Sequence, residues 1–331
     1  MREKGVHMKR ISVLIKWVCF LIILIICYQF VSYISYPSNQ ITIGWEAFYK
    51  QEKNSIDTLI VGSSHAYSSF SPEIVSETMG GKTFILASNS QNVTQSYYNI
   101  KEALKYQKPK RIILEAFSIN GNNNWKDSED KDWKKESNID GMRDGLVKME
   151  AVAHQYDMEN WAYAFLKLGR SHKNWMDPGV LLNNFYRLSD GMQDYTGFLP
   201  STSSMSAETK KKYDKQKYRK NYKFEIAESN IEHFQKLAEL CEKNKIELIV
   251  IMAPMYDKYI QSYDYSKQYE TIKFLVEKEN LFYLDLNMEY EKVGLTAEDF
   301  EDAYNTYHHL NAMGAEKVTK YAMERLTNEK E

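Results

Sequence analysis

Two short blocks at opposite ends of the chain carry the residue types that acyl-transfer chemistry needs. The first is Gly62-Ser63-Ser64-His65, directly after the apolar run Ile56–Val61. A glycine permits a tight turn, and a serine two places on is lifted clear of a buried strand, where its hydroxyl can attack a carbonyl. The block is not the Gly-x-Ser-x-Gly elbow, because position 66 is Ala. The same residues also suit an ordinary strand-to-helix turn capped by serine. The second block is Tyr307-His308-His309-Leu310-Asn311-Ala312-Met313-Gly314-Ala315, before the last helix. Histidine is the natural general base for a serine near neutral pH. Consecutive histidine side chains diverge, and no carboxylate–histidine spacing accompanies this pair, so no metal site and no cofactor are expected.

These blocks need elements to bring them together. Ile56–Val61, Thr83–Ala87, Arg111–Phe117, Ile246–Ala253 and Leu281–Leu286 are short, nearly continuous apolar runs. Such runs with helices between them predict a parallel sheet covered on both faces. Helical spacing marks Val93–Tyr106, Phe224–Lys243, Tyr265–Lys278 and Ala312–Leu326. The expected fold is therefore a three-layer α/β/α domain with a five-stranded, mostly parallel, flavodoxin-like sheet. Residues 120–222 interrupt the alternation and read as a helical insertion over the top of the sheet. In such sheets ligands bind beyond the carboxyl ends of the strands, which is where Ser64 and His309 are expected.

The GSSH block, the Ala87-Ser88-Asn89-Ser90-Gln91-Asn92 block after the second run and the terminal His309-Leu310-Asn311-x-x-Gly314-Ala315 block together resemble the SGNH (GDSL-like) hydrolase superfamily. Within it they are most similar to its membrane-anchored DltD-like and polysaccharide O-acyltransfer branches. The resemblance runs in block order from Asp57 to Leu326. It implies that Ser64, rather than Ser63, is the nucleophile and that His309 is the base. It also implies a multi-pass MBOAT-type acyltransferase as partner, and an anionic or neutral cell-envelope glycopolymer as the acceptor.

The chain departs from that pattern at three places. The acid expected three residues before His309 falls on Thr306; taking His308 as base puts Asn305 there, and Asp302, with Glu301 beside it, is the nearest upstream carboxylate. A neutral residue orients an imidazole less well than a carboxylate does. The second-block glycine falls near Ser88–Ser90, where a main-chain N–H of Ser90 can still serve as an oxyanion donor, with Asn89 or Gln91 adding a side-chain donor. The third-block asparagine has no clean match; Asn120 and Asn122 follow the third run. His65 is expected to shape the pocket, Glu115 to be structural, and Pro254, Met255 and Tyr256 to line a cleft. The run Lys210–Lys223, with eight basic residues against Asp214, suits an anionic polymer or a membrane headgroup surface.

Outside the domain lies one uncharged run, Trp17–Ile34, long enough to cross a hydrocarbon core. Arg2, Lys4, Lys9, Arg10 and Lys16 precede it against Glu3 alone, and Tyr33, Ile34 and Tyr36 stand where a signal peptide would be cleaved. The positive-inside rule then gives a single-pass bacterial membrane anchor with its N-terminus cytoplasmic. The segments read as a cytoplasmic 1–10, an anchor over 11–36, a juxtamembrane linker over 37–54 and an extracytoplasmic domain over 55–331. Cys19 and Cys27 fall in the anchor and leave Cys241 alone, so no disulfide framework exists. With 43 Lys and Arg against 45 Asp and Glu, the chain lacks the basic excess of a nucleic-acid binder. The expected function is an extracytoplasmic serine acyltransferase or esterase working through acyl-Ser64. The alternative is a silent SGNH-like wall-polymer-binding or assembly-partner protein.

Overall fold

A computed structural model describes residues 2–38, 40–119, 133–189, 195–220, 222–302 and 309–329. In chain order the elements are α1 (Arg2–Ser35), α2 (Gln40–Lys50), β1 (Ile56–Gly62), α3 (Ser64–Ser69), α4 (Pro72–Met79), β2 (Lys82–Ala87), α5 (Val93–Ala103) and β3 (Arg111–Glu115). Next come α6 (Trp133–Asp140), α7 (Leu146–Gln155), α8 (Trp161–Phe165), α9 (Lys167–Ser171), α10 (Pro178–Ser189), α11 (Ala207–Asp214) and α12 (Glu228–Lys243). The chain closes with β4 (Glu247–Met252), α13 (Asp257–Ile260), α14 (Tyr265–Lys278), β5 (Phe282–Asp285), α15 (Tyr290–Val293) and α16 (Ala312–Asn328). It divides into two compact units, one of residues 1–38 and 159–191, the other of 39–158 and 192–331.

The larger unit is built on a five-stranded sheet in the order β2-β1-β3-β4-β5, and every pairing is parallel. Because side chains alternate along a strand, each strand feeds two cores. Leu59, Val61, Phe84, Leu86, Ile112, Leu114, Leu248 and Val250 face one side with α2, α5, α12 and α14. Ile60, Ile85, Ile113, Ile249 and Ile251 face the other with α3, α4 and α16. This is the expected three-layer arrangement, with the sheet wholly rather than mostly parallel. The third run stops as strand at Glu115 and turns into a 3₁₀ turn over Ala116–Ile119.

Two segments hold more structure than their sequence reading assigns them. Residues 37–54 are not simply a linker: α2 belongs to the sheet unit and buries Ile41, Trp45, Ala47 and Phe48 in its core. Its apolar face is short and follows directly on the long uncharged run, which masks it in the sequence. Trp45 lies edge-on to Phe48 and stacked on Tyr49, with ring centroids 5.4 Å and 5.1 Å away. Trp45→Ala is expected to destabilise the sheet unit by about 3–5 kcal/mol, as for other buried aromatic truncations; chemical unfolding followed by circular dichroism reads this. A loss under about 1 kcal/mol would mean that the helix is dispensable to that core. The second is 120–222: of its described residues, 133–158, 195–220 and 222 fold with the sheet unit, whereas 159–189 group with the N-terminal helix.

In the smaller unit, Ile11–Ser35 of α1 is long and apolar enough to cross a membrane. Helices α9 and α10 pack on α1 near its carboxyl end.

Candidate active site

Strand β1 ends at Gly62, and helix α3 begins two residues later at Ser64. Ser63 caps that helix: its hydroxyl accepts the His65 N–H at 3.2 Å and donates to the Glu115 carboxylate at 2.9 Å. The sheet order changes direction between β1 and β3, the switch point where open α/β sheets take ligands. Ser64 stands at that point. Glu115, at the end of β3, lies beneath the turn and is fully buried.

His309 reaches Ser64 from the other end of the chain. Its Nε2 lies 2.7 Å from Ser64 Oγ, and its Nδ1 lies 3.1 Å from Glu301 Oε1. The backbone explains how Glu301 gets there. Phe300 and Leu310 form an antiparallel bridge, and the Glu301 N–H donates to the His309 carbonyl at 3.0 Å. Glu301 and His309 are therefore cross-strand neighbours on one face, while Phe300 and Leu310 point inward and are fully buried. With Nδ1–H given to Glu301, Nε2 is left to accept the Ser64 proton.

Asn311 fixes the loop that carries His309. It caps α16 by accepting the Gly314 N–H at 3.1 Å, and its amide donates to the Glu298 and Ser203 carbonyls at 2.6 Å and 3.3 Å. Gly314 leaves room for this: a Cβ there would lie 2.3 Å from the Asp299 carbonyl oxygen. The returning arm of the interrupting segment runs past the same site. Ile85 of edge strand β2 donates to the Thr196 carbonyl at 2.8 Å, Leu199 donates to the Tyr67 carbonyl at 2.9 Å, and Ala312 donates to the Ser201 carbonyl at 2.9 Å. A Cβ on Gly197 would sit 2.0 Å from the Ile85 oxygen, so only glycine lets this arm lie against the β2 edge.

The remaining residues singled out from the sequence fall in different places. Asp302 does not serve the imidazole. Its exposed carboxylate accepts the Ser206 N–H at 3.0 Å, and the Thr209 hydroxyl, ahead of Ser206, holds it below the ordinary carboxylate value. Gln91 is turned into the core, bonded to Ser88, Ser96 and Asn99, so its side chain is no oxyanion donor. Asn89 does reach the site: it accepts the Tyr67 hydroxyl, which also lies within hydrogen-bonding reach of Ser64. Ser90 is exposed and takes a φ of +55°, a conformation that glycine adopts most readily. His65 is buried, its ring 4.3 Å from that of Phe117 and edge-on to His309 at 5.1 Å. Thr306, Asn305, His308, Asn120 and Asn122 lie outside the described residues.

No family model matches the chain, and no curated protein matches it either. Tyr67 was not singled out from the sequence, because nothing in its spacing shows that α3 turns its ring toward Ser64. Met255 and Tyr256, expected to line a cleft, are instead buried, and Tyr256 packs against Tyr213 and Phe300. Within the basic run, Arg219 is held among the rings of Tyr222, Tyr259 and Tyr263, 4.7–5.1 Å from their centroids. Among the described residues no group of three or more His, Cys, Asp and Glu gathers as a metal ligand set.

Glu115 makes the turn pH-sensitive. Burial, the largest effect, pushes its carboxyl from an ordinary 4.5 up to about 7, against hydrogen bonds from the Phe117 N–H, the Ser63 hydroxyl and the Ala253 and Ser63 main chain. A raised carboxyl binds its proton more tightly in the folded state. Its contribution is thus fully present below the unfolded value near 4.5 and is lost as pH rises through about 7. The amount is about 3 kcal/mol. Unfolding midpoints of the native chain and Glu115→Gln, compared between pH 4.5 and pH 8, are expected to converge or cross, with the native chain losing ground as pH rises. Parallel curves would mean that Glu115 does not change its protonation in that window.

Proposed function

We propose that this chain is a membrane-anchored serine acyltransferase or esterase of the SGNH kind, acting on acyl groups of a cell-wall or exported glycopolymer through an acyl-Ser64 intermediate. The observation that carries this reading is the relay Ser64–His309–Glu301 at the β1/β3 switch point, with contacts of 2.7 Å and 3.1 Å. His309 Nε2 takes the hydroxyl proton as Ser64 Oγ bonds to the acyl carbon. Glu301 balances the imidazolium. His309 then returns the proton to the leaving oxygen, and the C–O bond to the donor breaks. An acceptor hydroxyl, deprotonated by the same nitrogen, attacks the acyl carbon; the bond to Ser64 Oγ then breaks and His309 returns that proton to Oγ. A sugar or polyol hydroxyl makes this a transfer, and water makes it a hydrolysis.

The negative oxygen of the tetrahedral intermediate requires donors at the same edge. The main-chain N–H of Ser64 and one beside Ser90 supply them in this reading, with Tyr67 and Asn89 completing that wall. The single-pass anchor, the sheet unit outside the membrane and an MBOAT-type partner that delivers the acyl group belong to the same proposal. In this reading Glu301 supplies the carboxylate that Thr306 lacks.

The test is covalent labelling of the full chain, in detergent or nanodiscs, with a fluorophosphonate, followed by peptide mass spectrometry. An adduct on Ser64 that is lost in Ser64→Ala is expected. Folded protein that takes no label at Ser64 would overturn the catalytic reading in favour of the binding protein.

A further inference from the structure

Helix α10 is built inside out for a helix in water. Its buried side chains are polar, Asn184 and Arg187, whereas Leu182, Phe185, Tyr186 and Leu188 are exposed, Leu182 at 70% and Tyr186 at 68%. Just before it, Trp175 and Met176 are exposed at 62% and 69%. A helix of a water-soluble domain points its apolar stripe inward. The reversed pattern is the one expected where the surrounding medium is itself apolar.

The polar face has a defined task. Asn184 donates to the carbonyls of Tyr33, Ile34 and Tyr36 at 3.3, 3.0 and 2.7 Å, and Asn174 donates to that of Ser35 at 3.2 Å. These are carbonyls at and just beyond the carboxyl end of α1, where the next helical turn that would take them up is missing; that of Tyr33 also accepts the Tyr36 N–H at 3.3 Å. The Arg187 guanidinium lies over the Tyr33 ring, 5.7 Å from its centroid, and Phe185 packs on Phe30 at 6.2 Å. The segment 161–189 is thereby bracketed to α1 between Phe30 and Tyr36.

That attachment fixes its depth. Ile11–Ser35 is 25 residues long, about 37 Å at 1.5 Å per residue, against a hydrocarbon core of about 30 Å. Lys16, with Arg10 and Lys9 behind it, marks one boundary, and about twenty residues from Trp17 reach Tyr36. The bracket from Phe30 to Tyr36 therefore lies along the last turns before the acyl chains end. Tryptophan and tyrosine concentrate in that layer, one end of the ring apolar and the other wet.

We propose that residues 161–189 form a second membrane contact, an interfacial bracket that lays Trp175, Met176, Leu182, Phe185, Tyr186 and Leu188 into the lipid headgroup–acyl boundary. The proposal rests on α1 crossing the bilayer but not on any activity at Ser64. It makes the anchor a wedge with a fixed rotation rather than a lone rod.

The test places the full, unaltered chain in phosphatidylcholine–phosphatidylglycerol nanodiscs containing a photoactivatable phospholipid. Lipid adducts mapped by peptide mass spectrometry are expected both on 11–30 and on 175–188. Adducts on 11–30 alone would leave the span intact and remove the bracket. A second measurement uses nitroxide labels at Leu182→Cys and Tyr186→Cys, with Phe274→Cys, 73% exposed on the sheet unit, as a reference. Cys19, Cys27 and Cys241 are replaced by alanine in all three. Oxygen collisions several-fold higher and nickel-chelate collisions several-fold lower than at 274 are expected. High nickel accessibility would place the face in water, and low accessibility to both probes would place it against protein; either overturns the proposal.

Discussion

Glu301→Gln is expected to slow acylation of Ser64 by up to about 10⁴-fold, while Asp302→Asn, one residue away, leaves the rate unchanged. The contrast follows from geometry. Glu301 Oε1 lies 3.1 Å from His309 Nδ1, and glutamine in its place can turn an NH₂ toward the ring and favour the tautomer whose Nε2 carries the proton. That tautomer has nothing with which to take the Ser64 proton. Asp302 faces Ser206 in solvent, so its charge is screened from the ring. His309→Ala removes the base itself, with an expected loss of about 10²–10⁴-fold. The readout is the second-order rate of fluorophosphonate adduct formation, with circular dichroism confirming the fold of each variant. If Asp302→Asn proved as damaging as Glu301→Gln, the assignment of the acid would be wrong.

The residues explain why this acid was hidden in the sequence. A search at a fixed offset before His309 lands on Thr306, because it assumes that acid and base sit on one local turn. Here they face each other across an antiparallel pair that Phe300 and Leu310 lock from below, and side chains eight positions apart meet only once that pairing exists. The strands were legible for the opposite reason. Runs such as Leu248–Met252 are buried on both faces of the sheet, so the apolar signal is continuous and local. Ser64 was legible because a glycine and a serine at a strand end are themselves the turn. Ser63 looked redundant beside it, yet its hydroxyl joins α3 to Glu115, and only the β1–β3 pairing brings that carboxyl within reach. The division of the interrupting segment was not legible at all. Nothing in the spacing of Asn184 shows that its partners are the carbonyls of Tyr33, Ile34 and Tyr36, at the far end of another helix.

Gly62→Ala is the substitution expected to do most harm to the turn and to Ser64 together. Gly62 has a φ of +152°, and a Cβ there would lie 2.7 Å from Glu115 Cβ and 3.3 Å from Ala66 Cβ. Neither neighbour is the loose end of a flexible chain: Glu115 is pinned in β3 and Ala66 in α3. Backbone strain of about 1–3 kcal/mol adds to overpacking of about 1–3 kcal/mol, a large part of the ordinary stability of a domain. Relief requires β1 to part from β3 or α3 to shift, and either movement carries Ser64 away from His309. A displacement of about 1 Å costs about 10²-fold in rate. Gly80→Ala is the matched control. Gly80 also has a positive φ, +72°, with ψ of 146°, but nothing lies within 4 Å of its Cβ position. It is expected to cost only the backbone strain, about 1–3 kcal/mol, and to leave labelling of Ser64 unchanged. Unfolding midpoints and adduct rates measured on both variants separate strain from displacement. If Gly62→Ala behaved like Gly80→Ala, the close approach of β1 to Glu115 would not be what holds the serine in place.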